Sequence, residues 1–210
     1  MDNKDLLSLL PEQDFKRADK SIDARARRAG IRLIDESDPI WERMNELQQG
    51  GARRTQDALL QGYEERRLAP LHYRGRVLDF GCGVGGSTYF LARNGGEVTA
   101  MDYPGSIDEL KKLGLPNVTI IEGDGLKAME QTEDNTYYMV AAFMLGPDDK
   151  GGLIDGFYTQ ANRIIKPDGR ILITSDGNTF QLLANKYRGN YANNLFQSNI
   201  FIGGKNPEIG

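Results

Sequence analysis

The sequence predicts an α/β fold built on a doubly wound, mostly parallel sheet that is preceded by N-terminal helices. Two observations support this fold class. A unit of strand, glycine-rich turn, helix and strand spans residues 76–102, and short apolar runs then alternate with helix-compatible stretches up to residue 174. Such alternation is typical of βαβ units, whose strands pair in parallel. The helix-permissive residues 21–70 come before the first strand.

The first βαβ unit reads RVLDFGCGVGGSTYFLARNGGEVTAMD. Its first apolar run is broken by Asp79 and is followed by four glycines within residues 81–86. Because glycine lacks a Cβ atom, such a turn can take positive φ angles and approach a bound ligand closely. The helix behind it offers unpaired N–H groups to an electronegative ligand. Asp102, at the carboxyl end of the second strand, is placed to accept hydrogen bonds from ribose hydroxyls. The unit therefore predicts a nucleoside site.

The remaining elements follow from the apolar runs. Strands are predicted over residues 118–121, 137–144, 170–174 and 199–203. The second of these runs is the most apolar, as expected for a central parallel strand. Helices are predicted over residues 55–68, 106–113, 153–166 and 177–187, and a further helix begins at Asp38, with Pro39 in its first turn.

The kind of nucleoside depends on the residues around the turn. Gly81, Gly83 and Gly86 match the dinucleotide fingerprint G-x-G-x-x-G, which is a weak signal on its own. Asp79, two residues before the first glycine, would be unfavourable beside a pyrophosphate. A carboxylate at this position suits a ligand that carries a positive centre or an ammonium group.

The stretch VLDFGCG, together with the next glycine, resembles the first motif of the class I S-adenosylmethionine-dependent methyltransferases. This resemblance implies a Rossmann-like sheet with an antiparallel C-terminal strand, and S-adenosylmethionine as the cofactor. It also implies that the strand acid and the glycines hold the methionine part, while the acid that ends the second strand holds the ribose. The matching residues are Asp79, Gly81, Gly83, Gly85 and Asp102, with Cys82 inside the turn.

Later motifs are also similar to the family. The pattern EGDGL after the third predicted strand resembles the position whose carboxylate takes the adenine amino group, which implies Asp124 with Gly125 and Leu126 beside it. An ordinary Asp-Gly turn is the alternative. Tyr103 is placed to lie against the adenine ring. Two strands close the sheet in this family, so the sixth strand is expected to be short or to lie within residues 194–198.

Composition limits the classes of protein to consider. The chain has 210 residues, a net charge of −4, one cysteine and one histidine. These values exclude an internal disulfide and a Cys/His zinc set, and they give no general attraction to nucleic acid or to anionic membranes. The first residues do not resemble a secretory signal, and no run is long enough to span a membrane. We expect a cytoplasmic protein with no membrane partner, no nucleic-acid partner and no metal. The oligomeric state stays open, with a homodimer as one option.

The chain is expected to divide into an N-terminal helical segment, residues 1–70, and an S-adenosylmethionine-binding methyltransferase domain, residues 71–210. The N-terminal segment is interpreted either as a packing cap over the sheet or as a lid over the ligand. His72 precedes the first strand and therefore lies opposite the ligand crevice, so we expect a surface or linker residue rather than a general base. Cys82 has no histidine beside it and is expected to fill space in the turn.

The end of the fourth strand shows no catalytic acid or histidine. It also lacks the Asn/Asp-Pro-Pro signature of nucleic-acid amino-methylation, and no acid pair suggests a metal. We therefore expect a methyltransferase that acts on a small-molecule acceptor through proximity and orientation, with an unknown catalytic residue. A weaker expectation is a substrate pocket lined by Trp41, Tyr63, Phe143 and Met144, which are otherwise core residues.

Two rival functions remain on the same fold. An NAD-type dehydrogenase would use the fingerprint glycines and Asp102, and it would bind NADH. It leaves the acid before the turn unexplained. A non-catalytic nucleoside-binding module would keep the same site for regulation or as a partner subunit.

Overall fold

The protein is described from a computed structural model, which covers residues 22–41, 51–64, 68–145, 152–175, 190–195 and 198–205. Its strands are β1 Arg76–Phe80, β2 Glu97–Asp102, β3 Val118–Glu122, β4 Tyr137–Leu145, β5 Ile165–Ser175, β6 Asn190–Leu195 and β7 Ser198–Gly204. The helices are α1 over residues 22–29, α2 Gly51–Glu64, α3 Pro70–Arg74, α4 Gly86–Arg93, α5 Asp108–Lys112, α6 Gly125–Glu130 and α7 Gly152–Ile164.

The strands form one seven-stranded sheet in the order β3-β2-β1-β4-β5-β7-β6. The first five strands pair in parallel, whereas β7 runs antiparallel to both β5 and β6. This confirms the predicted fold class, including the antiparallel C-terminal strand. The strand order reverses between β1 and β4. In open parallel sheets a ligand crevice forms at this point, outside the carboxyl ends of the strands.

The sixth strand was expected to be short or to lie within residues 194–198, and it is a six-residue strand that begins before this window. β6 spans Asn190–Leu195 and precedes most of the expected window, while β7 begins at Ser198. The sequence of β6, NYANNL, is largely polar and shows no apolar alternation. As an edge strand it pairs with β7 alone within the sheet, so it can fold without an apolar signal. The helix predicted over residues 177–187 lies outside the described residues.

Two apolar layers cover the sheet. In β4, Met139, Ala141 and Phe143 join the layer under α2 and α4, whereas Val140 and Ala142 join the layer under α7. A strand buried on both faces has to be apolar throughout, which explains why this run is the clearest in the sequence. The predicted start of the α2 helix was late, since α2 already begins at Gly51.

The chain of residues 22–41 is anchored on the carboxyl end of α4. Oδ1 of Asn94 accepts a 2.7 Å hydrogen bond from the Arg32 amide, and its Nδ2 donates to the Arg32 carbonyl at 3.1 Å. The Asn94 side chain therefore pairs with this segment much as a neighbouring strand would. Nearby, Arg25 and Glu64 form two hydrogen bonds of 2.7 Å between α1 and α2.

The carboxylate of Asp38 also connects this segment to α4. Its Oδ1 accepts a 2.7 Å hydrogen bond from the Tyr89 hydroxyl and pairs with Arg93, and its Oδ2 accepts from the Asp35 amide at 2.9 Å. The carboxylate is nearly buried, at 7% exposure. These contacts reach α4 at its middle, through Tyr89, and at its carboxyl end, through Arg93.

Candidate functional site

The candidate site is the turn that connects β1 to α4, at the carboxyl edge of the sheet. The amides of Gly81 and Cys82 both donate to the Met101 carbonyl, at 2.8 and 3.1 Å, so the turn folds over the end of β2. The Gly83 amide donates to Oδ2 of Asp102 at 2.6 Å. These hydrogen bonds bring the glycine turn and the acid of β2 together.

Two glycines of the turn are required for different reasons. Gly85 has a φ of +93°, and a Cβ atom there would lie 2.7 Å from the Leu110 side chain, so this glycine permits α5 to pack beneath the turn. Gly81 has a φ of +69°, but a Cβ atom there would meet nothing within 4 Å. The space beside Gly81 is therefore open, and a ligand can approach the backbone at this point.

Asp79 lies beneath this turn and is fully buried. Its Oδ2 accepts hydrogen bonds of 2.6 Å from Ser87 Oγ and from Thr88 Oγ1. Its Oδ1 is also buried and has no hydrogen-bond partner within the described part of the chain. Burial, together with the nearby Asp102 charge, raises the pKa of Asp79 to about 6 against the lowering effect of the two hydroxyls. A buried carboxylate oxygen without a donor fits a ligand that supplies one.

Asp102 ends β2 and is partly buried. Besides the Gly83 amide, it accepts a 2.7 Å hydrogen bond from the Tyr103 amide at Oδ1. Each carboxylate oxygen has two lone pairs, so both keep acceptor capacity for ligand hydroxyls. The Tyr103 side chain is 63% exposed, which leaves its ring accessible to a planar group.

The loop after β3 reaches the same edge, because the Gly123 amide donates to the Asp102 carbonyl at 3.0 Å. Asp124 caps α6, with Oδ1 accepting from the amides of Leu126 and Lys127 at 3.1 and 3.3 Å. This local role is that of a helix cap, and it leaves acceptor capacity on the carboxylate for a ligand. A Cβ atom at Gly125 would lie 2.6 Å from the Phe80 ring, so the two residues pack closely.

Other predicted site residues lie in core packing. The Leu126 side chain packs against the apolar layer under α7. Phe143 is only 7% exposed and belongs to the opposite layer, against which Trp41 and Tyr63 are partly buried. Phe143 is therefore a core residue, whereas a pocket role for Trp41 and Tyr63 stays a prediction. The side chain of Met144 lies outside the described residues.

Cys82 and His72 have structural environments. Burial, followed by the charges of Asp79 and Asp102, raises the pKa of the Cys82 thiol far above its ordinary value, so it is a poor nucleophile. His72 is buried rather than on the surface, which corrects that expectation. Its Nδ1 accepts from the Ala69 amide at 2.8 Å, so Nε2 carries the proton and donates to the Asp168 carbonyl at 2.9 Å. This places His72 at the amino end of the sheet, away from the crevice.

Sequence reasoning missed Ser87 and Thr88. Their signal was a pair of hydroxyl residues in the first helical turn after the glycines, eight and nine residues beyond a buried acid. Within the described ranges, no group of three or more His, Cys, Asp or Glu side chains could hold a metal ion. None of the helices described is both long and apolar enough to cross a membrane.

Comparison with known proteins agrees with this architecture. Residues 77–169 match the family model described as a methyltransferase domain. A curated relative, the malonyl-[acyl-carrier protein] O-methyltransferase of Enterobacter lignolyticus, is 45% identical over 64 residues. That match covers 30% of this chain and 22% of the relative, so the chain spans about a fifth of that relative's length.

Two solved structures show the same fold over most of the chain. The TehB-like S-adenosylmethionine-dependent methyltransferase of Corynebacterium glutamicum is similar with a TM-score of 0.54 and 18% identity, covering 89% of this chain and 99% of that one. The PH0226 protein of Pyrococcus horikoshii gives a TM-score of 0.53 and 18% identity, covering 81% and 93%. Residues 77–169 therefore match a methyltransferase domain, and the sheet has the same fold as these two solved structures.

Proposed function

We propose that the protein binds S-adenosylmethionine and transfers its methyl group to a small-molecule acceptor by proximity and orientation. The observation that carries this proposal is the buried Asp79, whose Oδ1 has no donor within the described part of the chain. Asp79 comes two residues before Gly81, where a Cβ atom would meet nothing within 4 Å. An ammonium group at Oδ1 of Asp79 would satisfy it and would neutralise the buried charge.

The proposed cofactor site follows the carboxyl edge of the sheet. The ammonium group of the methionine part would meet Asp79, and its carboxylate would meet the first-turn amides of α4, which have no intrahelical partner. Asp102 would accept hydrogen bonds from the ribose hydroxyls, and the Tyr103 ring would lie against the adenine. The remaining members of the site are Gly81, Cys82, Gly83, Gly85, Asp124, Gly125 and Leu126.

When bound, S-adenosylmethionine supplies a methyl group on a positively charged sulfur. The task of the chain is then to hold this group in line with the acceptor atom, and positioning alone can lower a barrier by roughly 7–11 kcal/mol in the best cases. The proposal assigns no general base, because His72 lies at the far edge of the sheet and the pKa of Cys82 is raised.

A pyrophosphate-bearing dinucleotide suits the site less well. A buried carboxylate beside the turn would repel a pyrophosphate, whereas it attracts an ammonium group. This supports the methyltransferase over the NAD-type dehydrogenase. The net charge of −4 supports a small acceptor, rather than nucleic acid, for a protein of the cytoplasm.

We further propose that residues 1–70 form a cap on the methyltransferase domain of residues 71–210. The contacts of Asp38 and Asn94 support this, since they join residues 22–41 to the middle and the carboxyl end of α4. The acceptor would then enter between the turn and the end of β4.

Calorimetric titration of the purified chain with S-adenosylmethionine, S-adenosylhomocysteine and NADH tests the cofactor. We expect saturable binding of both adenosyl ligands and none of NADH, with loss of binding in Asp79→Ala and Asp102→Ala. Asp168→Asn, an exposed change at the amino edge of the sheet, is the matched control. Binding of NADH alone, or normal adenosyl binding by both alanine variants, would refute the assignment. Transfer of labelled methyl to a panel of small acceptors then separates an enzyme from a binding module.

A further inference from the structure

Two hydroxyl groups share one oxygen of Asp79. Ser87 Oγ and Thr88 Oγ1 both donate to Oδ2 at 2.6 Å, and both residues are buried in the first turn of α4. The opposite oxygen, Oδ1, receives no hydrogen bond within the described part of the chain. The donors are therefore distributed unequally over a carboxylate that solvent does not reach.

This unequal distribution fixes the direction of the carboxylate. Two donors on Oδ2 hold its plane between β1 and α4, and they leave Oδ1 as the oxygen with free acceptor capacity. Without them, the carboxyl group could rotate and would have no internal partner. A buried unpaired acid of this kind would bind a proton instead of facing a cation.

We infer that Ser87 and Thr88 are positioning residues for the proposed cofactor, which hold Asp79 ionised with Oδ1 directed at the ammonium group of the ligand. This inference rests on the proposed function and extends it. It predicts that the two hydroxyls control affinity for the amino-acid part of the ligand and have little influence on affinity for the nucleoside part.

The charges around Asp79 support this role. Its titratable neighbours in the described chain are Asp102 of β2, whose charge raises the pKa of Asp79, and the Cys82 thiol, whose own pKa is raised. Ser87 and Thr88 lower the pKa of Asp79, opposing the larger effect of burial. Removing either hydroxyl therefore shifts ammonium binding to higher pH, because the carboxyl group must lose its proton before it can pair with a cation.

The test compares two ligands that differ in the amino-acid part. S-adenosylhomocysteine carries the ammonium group, and 5′-methylthioadenosine keeps the nucleoside without it. We expect Ser87→Ala and Thr88→Val each to weaken S-adenosylhomocysteine binding by about tenfold at pH 7, in line with the loss of a hydrogen bond to a charged group. Binding of 5′-methylthioadenosine should change less than about twofold.

Two further readouts separate positioning from a general loosening of α4. The pH at which S-adenosylhomocysteine affinity reaches half its maximum should rise in both variants, and Thr88→Ser should restore the wild-type value. Thr132→Val removes another partly buried hydroxyl, which donates to the Ala128 carbonyl of a different helix, and should change neither affinity.

Equal loss of both ligands, or no loss of either, would overturn the positioning role. A wild-type protein that binds neither ligand would instead overturn the proposed function, so the two failures are distinguishable. If a thermal melt shows that one of the two variants is unfolded, the other single variant and Thr88→Ser still allow the affinities for the two ligands to be compared.

Discussion

The Gly83 amide donates a 2.6 Å hydrogen bond to Oδ2 of Asp102, so the glycine turn is fixed to the end of β2 by the proposed ribose acid itself. The same carboxylate also accepts from the Tyr103 amide at 2.7 Å. Asp102 therefore shapes the turn in addition to facing the proposed ligand.

Asp102→Ala should consequently weaken both S-adenosylhomocysteine and 5′-methylthioadenosine, since the two ligands share a ribose. Losing a hydrogen bond to a charged group costs about 1.5–3 kcal/mol, which corresponds to roughly 10- to 150-fold in affinity. Calorimetry with both ligands measures the change. An affinity within twofold of wild type for either ligand would contradict the role of Asp102. This loss of affinity for both ligands also differs from the result expected for the Ser87 and Thr88 variants, which should weaken S-adenosylhomocysteine binding only.

Asp79 should make the unliganded protein less stable as the pH rises. Its pKa is raised from 3.8 to about 6, so between these values the folded state binds more protons than the unfolded state, and the free energy of unfolding falls with increasing pH. Two pKa units correspond to about 3 kcal/mol. Asp79→Asn does not titrate, so the Tm of wild type minus that of the variant should decrease from pH 4 to pH 6 and then level off.

This prediction is measured by thermal melts of both proteins across that range. A Tm difference that is constant with pH would show that Asp79 is not buried as a titrating acid. A saturating ammonium-bearing ligand should reduce the loss of stability, because it binds the ionised form.

Gly81→Ala and Gly85→Ala should differ in their effects, since the first should mainly reduce ligand affinity and the second should reduce stability more. Both require a positive φ, which costs a non-glycine residue roughly 1–2 kcal/mol. In Gly85→Ala the new methyl group also meets Leu110, so this variant should be the less stable of the two in thermal melts. In Gly81→Ala the methyl group enters open space and should mainly reduce ligand affinity. Equal loss of stability in both variants would contradict this distinction.

Asp38→Ala should lower stability without changing cofactor affinity. It leaves the largely buried guanidinium of Arg93 without its carboxylate, and breaking such pairs typically costs about 3–5 kcal/mol. Denaturant unfolding and calorimetry with S-adenosylhomocysteine measure the two effects. Tyr89→Phe, which removes only the 2.7 Å hydrogen bond to Asp38, should have a smaller effect in the same direction. A variant of normal stability with impaired methyl transfer would favour a lid over a cap.

His72→Ala should leave the pH profile of methyl transfer unchanged and reduce stability above pH 6.5. Burial lowers the pKa of His72, so the neutral ring stabilises the fold above its unfolded pKa, and this contribution is lost as the pH falls through the folded value. The advantage of wild type over the variant in Tm should therefore shrink on acidification. Loss of an acid–base limb from the activity profile would instead identify His72 as catalytic.

The parts of the fold that could be predicted are those where burial determines residue type. β4 is covered on both faces and reads as one apolar run, whereas β6 is a polar edge strand and gave no signal. The window expected for the sixth strand therefore came too late, whereas the last strand, β7, agrees with the prediction to within one residue at each end. The helix α6 was not predicted, and its cap, Asp124, had been interpreted either as an adenine-binding acid or as part of an Asp-Gly turn.

The missed features depend on contacts between residues that are distant in sequence. Asp38 lies at a helix-like start, but its hydroxyl partner, Tyr89, is 51 residues further along the chain. Ser87 and Thr88 are ordinary residues for the beginning of a helix, and only the orientation of β1 beneath α4 reveals that they bind an acid. Sequence periodicity contains no information on such pairings.

The anchoring of residues 22–41 on α4 has a spectroscopic consequence. Trp41, the one tryptophan of the chain, lies at the end of this segment and is partly buried against the core. Its fluorescence therefore reports on whether the segment is docked, while circular dichroism in the far ultraviolet is dominated by the helices and the sheet. In a denaturant titration the emission would shift to longer wavelength before the dichroism changes if the segment detaches first, and the two signals would coincide if docking and folding of the sheet are one cooperative event.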